Sequence, residues 1–198
     1  MMRTVVIATK NKGKIKELLE EFTGLPIKVR SLDEFSDLPT AKENGDSFAE
    51  NALIKAKFYS QQTGMACIAD DSGLEIDALN KRPGIYSARF AGEPSDDQAN
   101  NHKMIDELNN VHCVESSARY KCALVFYDVN GKIFQTEGIC EGTIKIVPSG
   151  VNGFGYDPYF YLSDKKSMAQ LSIREKQIIS HRGEAVYKMK KLLTGYLL

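Results

Sequence analysis

Two adjacent acidic residues follow a short apolar run in the first half of the sequence. Asp70 and Asp71 come directly after "MACIA" (65–69), and Ser72 and Gly73 follow them. Adjacent carboxylates repel each other, and burying even one is costly unless a cation or several donors compensate. A bound metal, a catalytic role or a solvated turn would each account for these acids. A turn explains either acid singly, but it explains the pair poorly.

A third carboxylate would complete a metal site. Glu43 lies in the polar, turn-rich segment 33–46. Hard oxygen ligands with no histidine nearby suit Mg²⁺, with Mn²⁺ as the alternative, rather than zinc. Open α/β sheets bind ligands at the carboxyl ends of their strands, and a strand over 65–69 would place Asp70 and Asp71 there. We therefore expect a magnesium site at this edge, where one carboxylate acts as a base on a nearby water.

The segment "TKNKGK" (9–14) has the features of an anion-binding turn. It follows a predicted strand over 3–9 and opens a predicted helix, so backbone N–H groups and the positive end of the helix dipole would face an anion. Thr9 and Asn11 add neutral donors, and Lys14 adds charge. The segment lacks the longer glycine-rich stretch of a P-loop. Lysines that are simply solvated are the alternative interpretation.

The segment "GFGYDP" (153–158) places an aromatic residue between two glycines. Phe154 would present a ring with close backbone access on both sides, which suits stacking on a flat ligand such as a nucleobase. Asp157 could accept hydrogen bonds from base or ribose donors. A tight turn packed by aromatic residues is the alternative.

A cluster of basic side chains lies in "KQIISHRG" (176–183), at a predicted junction of two helices. Arg182 and His181 can donate hydrogen bonds to a carbonyl such as the 6-oxo group of a purine, and Lys176 adds charge. A helix cap with ordinary surface charges is the alternative interpretation of this segment.

The remaining sequence predicts the elements that position these residues. Short β-branched runs alternate with amphipathic helical patterns, and Asn130-Gly131 is a strong hairpin signal. Capping boxes are predicted for Ser47 with Glu50 and for Ser172 with Glu175. This mixture predicts an α/β fold with a mixed sheet flanked by helices, rather than a purely parallel sheet.

Composition limits the classes of partner. The 198 residues include 26 basic and 26 acidic side chains, so no global field would hold nucleic acid or an anionic membrane. No apolar run approaches the roughly 18 residues of a membrane span, and the first residues do not match a secretory signal. The four cysteines form no CxxC pair, which predicts reduced thiols in a cytoplasmic protein. The segment 79–97 is predicted as a long functional loop.

Five segments, taken in order, resemble the inosine/xanthosine triphosphate pyrophosphatase family, which acts on non-canonical purine nucleotides. They are "VVIATKNKGKIKEL", "ENGDSFAENALIKA", "CIADDSGLEIDALNKRPGIYSARFAG", "NGFGYDPYF" and "ISHRGEAV". They extend from near residue 3 to about residue 186, and the match is weakest over about 95–145. The resemblance implies a single domain over 1–198, made of two lobes around a central cleft in an elongated α/β fold, and a homodimer.

The resemblance also implies an activity. It predicts hydrolysis of ITP, dITP and XTP to the monophosphate and pyrophosphate, which would clear deaminated purines from the nucleotide pool. Asp71 would be the proton acceptor, and Glu43 and Asp71, helped by Asp70, would bind Mg²⁺. The residues placed on the phosphates are Thr9, Asn11, Lys14 and Lys55. Ser72 would contact substrate, and the base pocket would consist of Phe154, Gly155, Tyr156, Asp157, Lys176, His181 and Arg182.

Two other functions stay open at this point. One is a nucleotide pyrophosphatase of related fold that acts on pyrimidine or other modified nucleotides, against which "GFGYD" and "SHR" argue. The other is a nucleotide-binding module without turnover. The acids Glu43, Asp70 and Asp71 argue against the module, because sensing alone does not need a group that activates water.

Overall fold

A mixed sheet of six strands organises the residues that the computed structural model describes, which are 3–163 and 165–197. The strands are β1 (Arg3–Ile7), β2 (Ile27–Ser31), β3 (Ala66–Ile76), β4 (Glu115–Tyr127), β5 (Ile133–Lys145) and β6 (Phe160–Tyr161). Their order in the sheet is β2-β1-β3-β4-β5-β6. β1 pairs in parallel with β2 and β3, whereas β5 and β6 pair antiparallel. The prediction of a mixed α/β fold is confirmed.

The helices begin close to where the sequence predicts them. They are α1 (Lys12–Glu21), α2 (Phe48–Thr63), α3 (Asp97–Asn110), α4 (Ile173–Ile179) and α5 (His181–Leu197). Ser172 and Glu175 form the predicted capping box at α4. Ser47 caps α2 by accepting from the Glu50 N–H, but the Glu50 carboxylate accepts from the Asp46 N–H at 2.7 Å. None of the helices in the described part of the chain is long and apolar enough to cross a membrane.

Strand β3 is longer than the sequence predicts. The prediction ends this strand at residue 69, but β3 continues through both acids to Ile76. Its parallel pairing with β1 covers only Ala66–Ile68, and the Ala8 N–H then donates to the Ile68 carbonyl at 2.7 Å. The strand continues because Leu74 and Ile76, beyond the acids, are fully buried in a core. The two acids therefore lie inside β3, just past the end of its pairing with β1.

The segment 79–97, predicted as a long functional loop, contains a helical turn of its own. Its residues Gly84–Arg89 form a 3-10 helix. The Ser87 hydroxyl accepts from the Leu74 N–H at 2.9 Å and donates to the Gly84 carbonyl at 2.6 Å. The bond from Leu74 attaches the segment to strand β3, and the bond to Gly84 closes a turn within the segment.

The chain divides into two compact units. Unit 1 comprises residues 1–71, 122–138 and 182–198, and unit 2 comprises residues 72–121 and 139–181. The two-lobed organisation around a cleft stays a prediction.

Unit 1 has an apolar core on each face of its strands, as expected from the period-two alternation of strand side chains. Val5 and Ile7 of β1 pack with residues of α1 and α5, such as Leu18 and Met189. Val6 of β1 packs on the other face, in the core that contains the buried residues of α2. The strands of unit 1 are thus covered by helices on both sides.

Unit 2 is built around a separate core. Leu74 and Ile76 of β3, Met104 of α3 and Tyr120 of β4 are buried there together with Phe160. The two aromatic residues of this set are in contact, with ring centroids 4.5 Å apart. This core supports the segment "GFGYDP", whose Tyr156 belongs to it.

Candidate active site

The turn between β1 and α1 is folded by its own polar side chains. Asn11 is the N-cap of α1, and its Oδ1 accepts from the Lys14 N–H at 3.1 Å. The Thr9 hydroxyl accepts from the Asn11 N–H at 3.2 Å. Such a helix N-terminus presents free N–H groups and the positive end of the dipole to an anion. The largely buried Lys14 adds a positive charge beside it, so this turn can bind a phosphate.

The adjacent acids of β3 have different partners. Successive side chains on a strand point to opposite faces, so neighbouring residues are expected to have different surroundings. Oδ1 of Asp70 lies 3.0 Å from Nζ of Lys14, and its Oδ2 accepts from Nε and Nη2 of Arg182 at 3.1 and 3.0 Å. Oδ1 of Asp71 accepts from Nζ of Lys55 at 2.8 Å. Each acid is therefore compensated by cations of its own.

The charges around Asp70 keep it ionised. Burial by itself would raise the pKa of Asp70, but the positive charges of Lys14 and Arg182 lower this pKa well below its usual range. The carboxylate is 1% exposed, so this compensation is what allows a charged group at that depth.

Lys55 joins two carboxylates that are far apart in the sequence. Its Nζ lies 2.7 Å from Oε2 of Glu43 and 2.8 Å from Oδ1 of Asp71. Burial opposes the charge of Lys55, but the charges of Asp71 and Glu43 raise its pKa above the usual value. Burial raises the pKa of Asp71 despite the Lys55 charge, whereas Lys55 outweighs burial at Glu43 and lowers its pKa. The structure thus brings together Glu43, Lys55 and Asp71.

The pair Glu43 and Asp71 fits a hard divalent cation. Oδ2 of Asp71 is buried and accepts no hydrogen bond from the described residues, so one carboxylate oxygen remains for a ligand. Mg²⁺ is commonly held by only one or two carboxylates, with water and substrate phosphates completing its shell. The described residues contain no cluster of three or more acidic, histidine or cysteine side chains arranged to hold a metal. The Asp70 carboxylate contacts Lys14 and Arg182 instead of Lys55, so any help it gives to a metal would be indirect.

The overall charge of this cluster supports the same conclusion. Its ionisable members in unit 1 are the acids Glu17, Glu43, Asp70 and Asp71 and the bases Lys14, Lys55 and Arg182. When all seven are ionised, and without counting Glu21, four acids against three bases leave one negative charge. An additional cation would therefore be attracted to the cluster rather than repelled.

Glu17 is a member of the cluster that the sequence analysis missed. It is buried on α1, one turn after Lys14, and it accepts from Nη1 of Arg182. The i, i+3 spacing of Lys14 and Glu17 on a predicted helix was the one available signal. Arg182, which the resemblance assigns to the base pocket, donates to Glu17 and to Asp70 and so belongs to this cluster of unit 1.

Asp157 organises the segment "GFGYDP" in unit 2. Its Oδ2 accepts from the Phe154 N–H at 2.9 Å and from Nζ of Lys176 at 2.8 Å, and its Oδ1 accepts from the Tyr120 hydroxyl at 3.3 Å. Gly153 has φ of +78°, and a Cβ there would lie 2.0 Å from Oδ2 of Asp157. Glycine is therefore required at 153, both for the backbone conformation and for the approach of the carboxylate.

Helix α3 and the 3-10 helix hold the same segment from outside. The Gly155 N–H donates to Oδ2 of Asp97 at 2.8 Å, and the Gly155 carbonyl accepts from Nδ2 of Asn101 at 3.0 Å. The Tyr156 hydroxyl donates to the Ser87 carbonyl at 2.8 Å. Asp97 and Asn101 do not stand out in the sequence, because their role depends on a segment more than 50 residues away.

Phe154, His181 and Ser72 also have clear places in unit 2. The Phe154 ring centroid lies 5.3 Å from Nζ of Lys176, a cation–π distance. The His181 imidazole is 6% exposed and stacks on the Tyr120 ring, with centroids 4.7 Å apart and planes 14° apart. Ser72 follows Asp71 on β3 and is half-buried. Unit 2 therefore gathers an aromatic ring, an imidazole and a buried ion pair.

A helix N-terminus able to bind an anion, together with a lysine-bridged pair of carboxylates, is typical of enzymes that transfer or hydrolyse phosphoryl groups with a divalent cation. The model of the Ham1 family matches residues 5–192 of this chain. A dITP/XTP pyrophosphatase of Bacillus anthracis is 48% identical over 200 residues, which cover 100% of this chain and 99% of that protein. The chain therefore belongs to the Ham1 family, and the family prediction from the five segments is confirmed.

Solved structures agree with this assignment. The structure of a HAM1 protein from Coxiella burnetii is 39% identical, with a TM-score of 0.87, and the match covers 98% of this chain and 100% of that one. The Ham1 protein of Staphylococcus aureus is 37% identical, with a TM-score of 0.84 and the same shares covered. The likeness therefore extends over nearly the whole chain.

Proposed function

We propose that this chain is a divalent-metal-dependent nucleotide pyrophosphatase that hydrolyses dITP, ITP and XTP to the monophosphate and pyrophosphate. The observation that carries the proposal is the bridging of Glu43 and Asp71 by Lys55, with one Asp71 oxygen left for a ligand. The substrates are proposed from the names of relatives that match over their full length. The enzyme would remove deaminated purine nucleotides from the nucleotide pool.

The phosphates are bound by unit 1. The N–H groups at the start of α1, with Thr9 and Asn11, donate to phosphate oxygens. Lys14 and Lys55 add positive charge. Ser72, the first residue of unit 2, is also proposed to contact the substrate. Asp70 holds Lys14 in place through the 3.0 Å contact between Oδ1 and Nζ. Positioning and electrostatic stabilisation account for most of the catalysis in reactions of this class.

Glu43 and Asp71 would hold the metal ion, which we propose is Mg²⁺, with Mn²⁺ as the alternative. When bound, such an ion supplies positive charge to the polyphosphate and lowers the pKa of a nearby water. Asp70 contributes indirectly, because its carboxylate is engaged by Lys14 and Arg182.

Asp71 is the proposed proton acceptor. It takes a proton from a water whose oxygen attacks the α-phosphorus. A new P–O bond forms, the bond between the α-phosphorus and the bridging oxygen breaks, and the electron pair leaves with pyrophosphate. Lys14 and Lys55 balance the charge that develops on the phosphate oxygens.

The base is recognised by Phe154, Gly155, Tyr156 and Asp157 together with Lys176 and His181. His181 would donate a hydrogen bond to the 6-oxo group of hypoxanthine or xanthine. Adenine carries an amino donor at that position, so two donors would face each other and binding would be disfavoured strongly. Since the Arg182 guanidinium is held by Asp70 and Glu17, we assign the main donor to His181.

We also propose a homodimer in the cytoplasm. The dimer is proposed from the resemblance to the family. All four cysteines are free thiols, and Cys67, Cys122 and Cys140 are buried, which suits a reducing compartment. Burial raises the pKa of Cys67 to about 12, so this thiol stays protonated and unreactive.

Pyrophosphate release from ITP, dITP, XTP, GTP and ATP, with and without Mg²⁺, tests the proposal. We expect metal-dependent release that is far faster for ITP, dITP and XTP than for ATP and GTP. Equal release from all five nucleotides would support the hydrolase activity and contradict the proposed selectivity for the base. Binding of ITP without release would favour a module that senses nucleotides.

A further inference from the structure

Tyr120 lies among the unit 2 residues that are proposed to recognise the base. Its side chain, on β4, is 7% exposed. The ring stacks on His181, with centroids 4.7 Å apart, and the hydroxyl donates to Oδ1 of Asp157 at 3.3 Å. Tyr120 thus contacts two residues that the proposed function places on the base, and it did not stand out in the sequence.

The stack fixes the plane of the His181 imidazole. A histidine ring rotates readily about its last side-chain torsion, because that torsion has a broad energy profile. The Tyr120 ring lies nearly parallel to the imidazole, at 14°, so rotation would break the contact. Phe160 supports the Tyr120 ring from a centroid distance of 4.5 Å. The direction in which His181 can donate a hydrogen bond therefore depends on the Tyr120 ring.

The hydroxyl fixes the Asp157 carboxylate. Tyr120 donates to Oδ1, while Lys176 and the Phe154 N–H donate to Oδ2. With donors on both oxygens, the carboxylate cannot turn without breaking a buried hydrogen bond, which is costly. Burial and the Asp157 charge raise the pKa of Tyr120 well above its usual range, so the hydroxyl remains a donor at neutral pH.

We propose that Tyr120 is a positioning residue for base recognition, its ring orienting His181 and its hydroxyl orienting Asp157. This inference rests on the proposed function, since it requires that His181 and Asp157 contact the base. Tyr120 itself acts only through these two residues. Its loss should therefore weaken binding and selectivity for the base, while the phosphate chemistry of Asp71 continues.

The test compares Tyr120→Phe, which keeps the ring, with Tyr120→Leu, which removes it. KM and kcat are measured for dITP and dATP at saturating Mg²⁺. For Tyr120→Leu we expect the KM for dITP to rise about tenfold with kcat within about threefold, and the preference for dITP over dATP to fall at least tenfold. For Tyr120→Phe we expect a three- to fivefold rise in KM and most of the preference retained. A purely structural role would reduce the active fraction without changing the preference.

Tyr161→Phe is the matched control. Its hydroxyl donates to the Val147 carbonyl at 2.9 Å on the exposed side of unit 2, so removing it should leave both KM and preference at wild-type values. The imidazole proton shifts of His181, followed by NMR without nucleotide, provide a readout that does not depend on activity. They should stay near wild type in Tyr120→Phe and move downfield in Tyr120→Leu, because the ring-current shift is lost.

The outcomes separate this inference from the proposed function. If the wild-type enzyme shows no preference for dITP over dATP, both the proposed base recognition and the role of Tyr120 are wrong. A selective wild-type enzyme, with wild-type KM and preference in both Tyr120 variants, would overturn the inference alone. If Tyr120→Leu fails to fold, Tyr120→Phe decides, and an unchanged KM for dITP in that variant would contradict the positioning role.

Discussion

Asp70 and Asp71 are neighbours on strand β3, yet their carboxylates bind different cations. Asp70 lies against Lys14 and Arg182, and Asp71 lies against Lys55, which also binds Glu43. The same substitution is therefore expected to have different effects at the two positions. It should remove activity at Asp71 and stability at Asp70.

Asp71→Asn should abolish turnover and leave the fold intact. An amide cannot accept the proton from water, so we expect pyrophosphate release to fall by at least about a thousandfold. Lys55 keeps Glu43 as a partner, so the free energy of unfolding should change by only about 1 kcal/mol. Release assays and urea denaturation measure the two quantities. An active Asp71→Asn enzyme would show that the proton acceptor is another group.

Unlike Asp71→Asn, the substitution Asp70→Asn should destabilise the folded protein. It leaves the buried Arg182 and Lys14 short of a counter-charge, and breaking a buried ion pair from one side typically costs about 3–5 kcal/mol. The retained Glu17 reduces this cost, so we expect a loss of about 2–4 kcal/mol in urea denaturation. Wild-type stability in this variant would mean that the charge cluster does not contribute to the fold.

His181→Ala should narrow the preference for ITP over ATP. The variant removes the proposed donor to the 6-oxo group, and a missing hydrogen bond in such a site is worth about 1–3 kcal/mol. We expect the ratio of kcat/KM values for ITP and ATP to fall by about ten- to a hundredfold. An unchanged ratio would mean that the base is recognised by other residues.

Mg²⁺ should stabilise the protein through Glu43 and Asp71. At a concentration several times its Kd, a ligand of the folded state adds about 1 kcal/mol, or about 2–4 °C in Tm for a chain of this size. Thermal unfolding in MgCl2 and in KCl of equal ionic strength measures the shift. Glu43→Gln should lose it, while Glu50→Gln, on the exposed first turn of α2, should keep it. Equal shifts in both variants would exclude Glu43 as a ligand.

Glu21 should make the protein less stable as the pH rises from 4.5 to 7. Burial raises the pKa of Glu21 from 4.5 to about 7, with the charge of Arg182 opposing and that of Glu17 adding. Between pH 4.5 and 7 the folded state holds a proton on Glu21 that the unfolded state releases. The stabilisation from this proton is therefore complete below pH 4.5 and lost above pH 7. Glu21→Gln should be more stable than wild type at pH 8, by at most about 3 kcal/mol, and equal to it at pH 4.5.

Urea denaturation at these two pH values tests the Glu21 prediction. Glu20→Gln, at the exposed neighbouring position of α1, is the control and should follow wild type at both pH values. A Glu21→Gln variant with the wild-type pH dependence would show that this carboxyl is not buried in solution.

Gly153→Ala should impair substrate binding more than Gly155→Ala. Both glycines have positive φ, so alanine is strained at either position by about 1 kcal/mol. Only at Gly153 would the new Cβ collide with Asp157, at 2.0 Å, whereas nothing lies within 4 Å at Gly155. We expect KM for ITP to rise at least tenfold in Gly153→Ala and by a few-fold in Gly155→Ala. Equal effects would mean that backbone strain alone is responsible.

Local signals predict much of the fold. Ser172 caps α4 as expected, and the turn at Asn130-Gly131 joins strands β4 and β5, since these patterns depend on a few neighbouring residues. The length of β3 was not predictable in the same way. Whether a strand continues through two acids depends on the core that buries Leu74 and Ile76 and on cations from distant positions, such as Lys14 and Lys55.

The residues of the candidate site differ in the same way in how well the sequence predicts them. Residues with conspicuous chemistry in short motifs, such as Lys14, were found from sequence. Glu17, Tyr120 and Asn101 were missed, because each is an ordinary residue in its own segment. Their importance arises from partners far along the chain, such as Arg182 for Glu17 and Gly155 for Asn101.

Lys55 gives the carboxylate pair a resident positive charge. Without a metal, the carboxylates of Glu43 and Asp71 are therefore not left as two anions that repel each other. If the pair holds Mg²⁺ as proposed, the protein would not need to retain the ion between turnovers, and its substrate would arrive already complexed with magnesium. Turnover would then follow the supply of the magnesium–nucleotide complex, and the enzyme could remain folded through periods when free magnesium is scarce.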